Sequence, residues 1–401
     1  VREALTSRSS VFGHHPWDED RTYFNCFSEG PDVVLIYKDA QGIKQRERIE
    51  KFPWYFYIKT DDVLSLGDRF WRTWFKKGLA QGLEPDPVNP DWTMVRAPRE
   101  VVRGRALQEG RVLESFLTLW DEKKLEQYPA DKRLRELLDA LEAQGVPHYE
   151  ADITPSRRFM VDWDINISTS YNEMYVDLET DDSIPGWERE DNQYRLILSI
   201  AWETYFQDGR PPRKGFLRLP KETLQAERQM LLAFQEEMEG TCDALYAWNG
   251  NNFDFPILRN HFRRHGIGVD WEAIHALDLL VIWHRYFQRG ASVNTSFALQ
   301  SIAMHVLKTG KLDWKQEALK RHKKPLTKII QLYRECPDIL EEYNRYDVQL
   351  LVELEKFTGF GKVDQLFCRI GQGFPRDMHI TTKIDSLLLK RAKWAGIHFP
   401  T

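Results

Sequence analysis

Four acidic side chains set the terms on which this chain can fold. Asp177 and Glu179 lie in YVDLET, Asp254 in NGNNFDFP and Asp347 in YNRYDVQLL, with Tyr343 four residues before the last. Val348, Leu350, Leu351 and Leu354 surround Asp347, and an uncompensated acid is disfavoured in such an apolar register. Carboxylates drawn from three separate elements repel one another unless a cation stands between them, because desolvating several like charges together is costly. Oxygen-only ligation suits hard cations such as magnesium and manganese. Two such ions about 3.5–4 Å apart hold both the attacking and the leaving oxygen of a phosphodiester displacement. The acids therefore point to a metal-dependent nuclease.

Each motif is weak alone. In a chain this acidic an Asp-x-Glu arises by chance about twice and a Tyr-x-x-x-Asp about once, and Asp162 with Asp164 forms such a spaced pair. Placement strengthens them. Asp177 and Glu179 are two apart on an expected strand and share one face. Asp254 follows the apolar strand ALYAWNG (244–250) and an Asn-rich turn, with Pro256 in the first turn of a helix running to Gly266. Pro337 and Asp338 open a helix to about Thr358, on which Tyr343 and Asp347 share a face.

The surrounding pattern is α/β. YRLILSIAW (194–202) and KGFLRL (214–219) read as strands. Residues 221–239 carry Leu224, Leu231, Phe234 and Met238 on one helical stripe closed by Gly240, and SFALQSIAMHVL (296–307) is a helix capped by Ser296. Residues 1–165 read as a separate α+β domain with a hairpin at 33–49, an aromatic strand at 52–60 and helices at 61–78 and 130–145. Two helices come after Gly361, the second stopping at Gly396. The division expected is 1–165, 166–360 and 361–401.

Composition excludes several classes. Four scattered cysteines with no Cys-x-x-Cys pair leave no zinc ribbon and suit a reducing compartment. No apolar run approaches the roughly 20 residues of a membrane span, so no membrane partner is expected and the cytoplasm is the default location. A net charge of −5 does not advertise a nucleic-acid binder, but net charge governs steering rather than local sites. Between Lys308 and Lys328, eight Lys or Arg face only Asp313 and Glu317. That local excess is suited to guiding single-stranded DNA through its phosphates.

The order DxE, NxNNFD, YxxxD resembles the three exonuclease motifs of the DEDD nucleases, tyrosine subtype; Glu342 stands where the histidine subtype needs His. The chain is similar to the proofreading region of family B DNA polymerases of phage or bacterial type. YEADITPSRRFMVD (149–162) and SFALQSIAMHVLKTGK (296–311) resemble further segments of that family. The resemblance implies a ribonuclease H-like exonuclease domain, with a mixed central sheet flanked by helices, behind the α+β N-terminal domain. It implies two divalent cations, Mg2+ or Mn2+. Asp177 would bridge both, Glu179 and Asp347 would help hold the ion that activates water, Asp254 would support the second, and Tyr343 would orient the nucleophile. Leu178, Thr180, Asn249, Asn252, Phe253, Arg259 and Lys311 are the expected DNA contacts.

The activity this resemblance implies is a 3′→5′ exonuclease acting on single-stranded DNA or a frayed primer 3′ end in a bacterial, archaeal or phage-infected cell. No SLYPS- or DTDS-type palm motif is found, so polymerase palm, fingers and thumb are expected on a further C-terminal part or a second chain. The interval Gly266–Asn294 is short where phage-type members of that family insert a long strand-separating hairpin, so a strong preference for single-stranded ends is expected. Competing readings are a non-catalytic assembly or template-binding half of a split polymerase and, more weakly, an RNA exonuclease. The four acids with Tyr343 favour catalysis, since a binding module has no use for that set.

Overall fold

The computed structural model describes residues 22–29, 32–39, 41–50, 52, 54–97, 132–162, 170–183, 195–287, 296–371, 373–375 and 380–400. They divide into two compact units: Val1–Ser168 with Arg369–Gly373 and His379–Thr401, and Thr169–Cys368 with Phe374–Met378.

In the first unit, β1 (Thr22–Glu29), β2 (Asp32–Lys38) and β3 (Lys44–Ile49) form an antiparallel sheet. The hairpin expected at 33–49 is β2–β3, with Val33 opposite Ile49 and Gly42 at φ 79° in its turn, a left-handed conformation that suits Gly. A second antiparallel sheet has β6 (Trp92–Ala97) between β4 (Trp54–Lys59) and β5 (Gly82–Pro85). Helix α1 (Thr60–Lys76) is interrupted at Gly67 (φ 68°, ψ 168°). Beyond the interruption Trp71 and Trp74 pack into the core that holds Phe56 and Val95. Helices α2 (Lys132–Ala143) and α3 (Pro155–Asp162) come next.

Buried charge organises this unit. His398 is held by Asp86 (Nε2 to Oδ2, 2.6 Å) and Glu150 (Nδ1 to Oε1, 3.2 Å), and its ring stacks on Tyr57 at 3.6 Å. The fully buried Arg158 pairs with Glu150 and lies over the Tyr55 ring at 4.5 Å. Lys393, on the helix Ile380–Trp394, pairs with Asp162, which the Tyr55 hydroxyl also donates to. Asp162 thus has a structural partner of its own, and Asp164 lies outside the described residues.

The second unit is built on a five-stranded mixed sheet ordered β11-β10-β7-β8-β9. β7 (Glu173–Thr180), β10 (Ala244–Ala247) and β11 (His275–Asp278) run parallel, while β8 (Ile197–Tyr205) and β9 (Arg213–Arg218) are antiparallel to their neighbours. The β8 strand begins later and runs further than the sequence indicates. Its pairing with β7 extends to Glu173 opposite Tyr205, so ladder partners rather than apolar content set its end.

Helix α4 (Leu224–Thr241) starts at Thr223, whose hydroxyl accepts the Ala226 N–H. Leu231, Phe234 and Met238 are buried as expected, but Leu224 is 51% exposed, because the first turn overhangs the core. Gly240 lies inside this helix, which ends at the extended Cys242. Helix α5 (Asp254–Arg264) joins β10 to β11, and α6 (Leu279–Phe287) comes after β11. Helix α7 (Leu299–Val306) is capped by Ala298 rather than Ser296, whose hydroxyl accepts the Ala298 N–H instead. After α8 (Trp314–His322) and α9 (Ile329–Glu335), the long α10 (Pro337–Thr358) lies against β7 and β8. It ends at Gly359 (φ 63°), and α11 (Phe360–Gly371) continues the chain. From Gly266 to Asn294 the chain is occupied by β11 and α6, and 288–295 lies outside the described residues.

Burial works to lower the pKa of His398, but its hydrogen bonds to Asp86 and Glu150 outweigh burial and raise it. The imidazolium's contribution is therefore complete below the ordinary imidazole range and is lost as pH rises through the raised value. His398→Gln is expected to cost about 3 kcal/mol near pH 6. In thermal or urea unfolding its gap to the wild type should narrow as pH increases; a pH-independent gap would mean the ring is neutral in the fold.

Candidate active site

The carboxyl ends of β7, β10 and β11 converge at one end of the sheet, the position at which open α/β sheets bind ligands. Asp177 and Glu179 stand half-buried near the end of β7, on the face opposite Met174, Val176 and Leu178, which are core. Helix α10 brings the fully buried Asp347 to the same face. Asp177, Glu179 and Asp347 each offer an oxygen within 4.8 Å of the others, and they form the group of three or more potential ligands found among the described residues.

Asp254 stands apart from this triad, buried as the first residue of α5. The backbone amides of Asp254 itself and of Leu178 work to lower its pKa, which sets the second motif beside the first. The turn between β10 and α5 is strained: Asn249 has φ 59°. Its carbonyl accepts the N–H groups of Asn252 and Phe253, and its side chain accepts the Asn252 amide at 2.8 Å. At Gly250 a Cβ would come within 2.6 Å of the Phe255 ring, so only Gly lets the turn close onto the helix. The buried Asp278, at the end of β11, accepts N–H groups of Asn251 (3.1 Å) and Leu280 (2.9 Å).

Charge crowding shifts every acid the same way. Burial, then the Asp347 charge, pushes Asp177 up to about 7, against the opposing Lys311 and Asn344. Glu179 and Asp254 are raised well above the carboxylate range by burial and by Asp177. Burial also raises Asp347, and Lys311 opposes it. The Tyr343 phenol is raised by burial and then by Glu179 and Asp347, so it keeps its proton.

Lys311 sits closer to the acids than the sequence reading placed it. Expected on DNA, it reaches into the acidic group: its Nζ lies 2.7 Å from Asp347 Oδ2 and 3.4 Å from the Tyr343 hydroxyl. Burial disfavours its charge, but Asp347 and Asp177 outweigh burial and raise its pKa. The ammonium supplies one positive charge against four carboxylates, so the site is undercompensated. Asp254 Oδ1 and Asp347 Oδ1 are buried without a hydrogen-bond partner, as expected of oxygens whose partner is a cation. The all-oxygen donor set fits Mg2+ or Mn2+.

Other expected DNA contacts divide. Thr180 is buried, Phe253 packs half-buried against the core, and Asn249 and Asn252 build the turn beside Asp254. The Leu178 side chain is core. Arg259 is turned into packing, its guanidinium 5.0 Å from the Trp271 ring and its pKa lowered by burial. The basic run is partly neutralised: Arg321 pairs with Glu317 and Glu342, and Lys324 with Glu335. Sequence reasoning missed the buried polar residues Asn344, Ser199 and Asp278. Ser199 and Asp278 interrupt apolar stretches (LILSIAW, HALDLLVI), and that interruption was the available signal; Asn344, next to Arg345 in YNRYDVQLL, carries none.

Comparison with known proteins agrees with this geometry. Residues 174–358 match the RNase H superfamily, and the second unit is an RNase H-like domain accompanied by a strand-rich N-terminal unit. The DNA polymerase of Methanocaldococcus jannaschii is 24% identical in an alignment 276 residues long that covers 61% of this chain and 16% of that protein. The structure of the family B DNA polymerase from Pyrobaculum calidifontis superimposes with a TM-score of 0.62 at 16% identity, over 95% of this chain and 51% of that one. The fold is shared with that polymerase, and this chain spans about half its length. Among the described residues no helix is long and apolar enough to cross a membrane.

Ligating a cation requires these acids to be ionised, so binding must expel protons. With Asp177 raised to about 7, Mn2+ affinity should climb between pH 6 and 8 and proton release should fall over the same range. Calorimetry in buffers of differing ionisation enthalpy measures both. A pH-independent affinity would contradict the crowding described.

Proposed function

We propose that this chain is the 3′→5′ exonuclease (proofreading) module of a family B DNA polymerase, hydrolysing single-stranded DNA 3′ ends to 5′-mononucleotides. The observation that carries the reading is the meeting of Asp177, Glu179 and Asp347 within 4.8 Å, with Asp254 near enough to feel the Asp177 charge and Tyr343 one turn before Asp347. The likeness to two archaeal DNA polymerases supports DNA as substrate and a polymerase part as partner. Buried acids with unpartnered oxygens have a use in catalysis and none in a passive assembly half.

When bound, two divalent cations supply Lewis-acid charge at the attacking and leaving oxygens. Asp177 would help hold both, Glu179 and Asp347 would help hold one, and Asp254 would help hold the other. Tyr343, kept protonated by its acidic surroundings, donates a hydrogen bond to the nucleophile or the scissile phosphate and does not act as a base. Lys311, already at Asp347 and Tyr343, is placed to neutralise charge developing on the phosphate. Asn249, Thr180 and Phe253 are proposed to meet the terminal nucleotide, and the Lys308–Lys328 run the strand behind it.

Purified protein with Mg2+ or Mn2+ should shorten 5′-labelled single-stranded DNA in single-nucleotide steps, and chelator should stop it. Asp177→Ala with Glu179→Ala should leave a folded protein with no measurable cleavage; degradation at the wild-type rate would refute the assignment. Tyr343→Phe is expected to slow turnover about 10²-fold while leaving Mn2+ binding intact, and an unchanged rate would remove Tyr343 from the mechanism.

A further inference from the structure

Asp177 is the acid on which both proposed cations depend, and one of its oxygens is already committed. Asn344, on α10 between Tyr343 and Asp347, is fully buried. Its Nδ2 donates to Asp177 Oδ2 at 2.6 Å and to the Asp177 carbonyl at 3.2 Å. Its Oδ1 accepts the hydroxyl of Ser199 at 2.9 Å. Ser199, also fully buried, lies on β8 directly opposite Glu179 in the antiparallel ladder, so the two side chains project to one face. Ala201 stands opposite Asp177, and its methyl leaves room there for the amide. Hydroxyl, amide and carboxylate thus form a chain across β8, α10 and β7.

We propose that Asn344 and Ser199 are positioning residues that fix the rotamer of Asp177 and reserve its second oxygen for the cations. This rests on the two-cation reading above. The residue types fit the task. A Lys or Arg at position 344 would neutralise Asp177 and compete with the cation, whereas an apolar residue would leave a buried oxygen unpaired. A neutral amide orients the carboxylate without discharging it. With the donor side of the amide fixed by the carboxylate, its carbonyl faces the Ser199 hydroxyl, and the chain has a single favourable sense. Asn344 anchors to the backbone of β7 as well as to the side chain, so it also sets the depth of α10 against the strand. Asp347 lies three residues further along α10, so the same contact fixes its approach to Asp177. Partners of metal ligands typically govern about 10–100-fold in affinity or activity, and misplacement by about 1 Å costs about 10²-fold in rate.

The test uses the full chain and three variants: Asn344→Leu, Ser199→Ala and Ser199→Thr. Mn2+ binding is read by calorimetry on chelator-treated protein, and kcat and KM are read on single-stranded DNA. Asn344→Leu should weaken Mn2+ binding about 10–100-fold and lower kcat while KM for DNA stays at its wild-type value. Ser199→Ala should shift both in the same direction by less, and Ser199→Thr, which keeps the hydroxyl, should recover most of that loss. A purely structural role would lower the melting temperature of the variants and leave Mn2+ affinity untouched; that result overturns the proposal. If Asn344→Leu does not fold, the Ser199 pair carries the same comparison. If the wild type binds Mn2+ without cleaving DNA, the exonuclease reading fails while the Mn2+ affinities still decide the relay. If it binds no Mn2+, both fall.

Discussion

Repulsion among Asp177, Glu179, Asp254 and Asp347 is the constraint around which the second unit is arranged. Bringing these acids together costs free energy at every step, visible in the upward shift of each carboxyl. The fold meets that cost with rigidity. A strand paired along its length with β8 carries two of the acids, a 22-residue helix laid against it carries the third, and a turn closed by Gly250 and Asp278 carries the fourth. Held on these elements the acids stay crowded, and the Lys311 ammonium is drawn in among them.

Lys311 and Asn344 meet this demand in opposite ways. Lys311 brings charge on a half-exposed, flexible side chain, and so compensates in a manner that an incoming cation or phosphate can displace. Asn344 brings no charge and is wholly enclosed, so it orients without competing. One partner is suited to exchange and the other to permanence. In the first unit opposite charges pair instead, His398 between Asp86 and Glu150 and Arg158 against Glu150, and that network has none of the orphaned acidic oxygens of the second unit.

Much of the framework was legible in the residues. The β2–β3 hairpin, the β4 strand, the placement of Pro337 and Gly359 at the ends of α10, and the shared face of Tyr343 and Asp347 arise from local rules of turn, cap and period. Sequence and structure part where tertiary contact overrides local signal. Leu224 is apolar but overhangs the core, Ser296 has a capping side chain but is displaced by Ala298, and β8 tracks its ladder partner past its apolar run. Arg259 looks like a cation for DNA in the sequence, which cannot show that Trp271 lies over it.

The sequence alone determined which acids could meet, because spacing along a strand or helix decides which side chains share a face, and backbone geometry enforces that locally. Tertiary structure decided what stands between them. That Lys311, 36 residues from Asp347 along the chain, reaches into the group, and that Ser199 on β8 supports Asn344 on α10, depends on how β8, α10 and the loop at Gly310 pack together. Such contacts join residues far apart in the chain, and no local period or propensity encodes them.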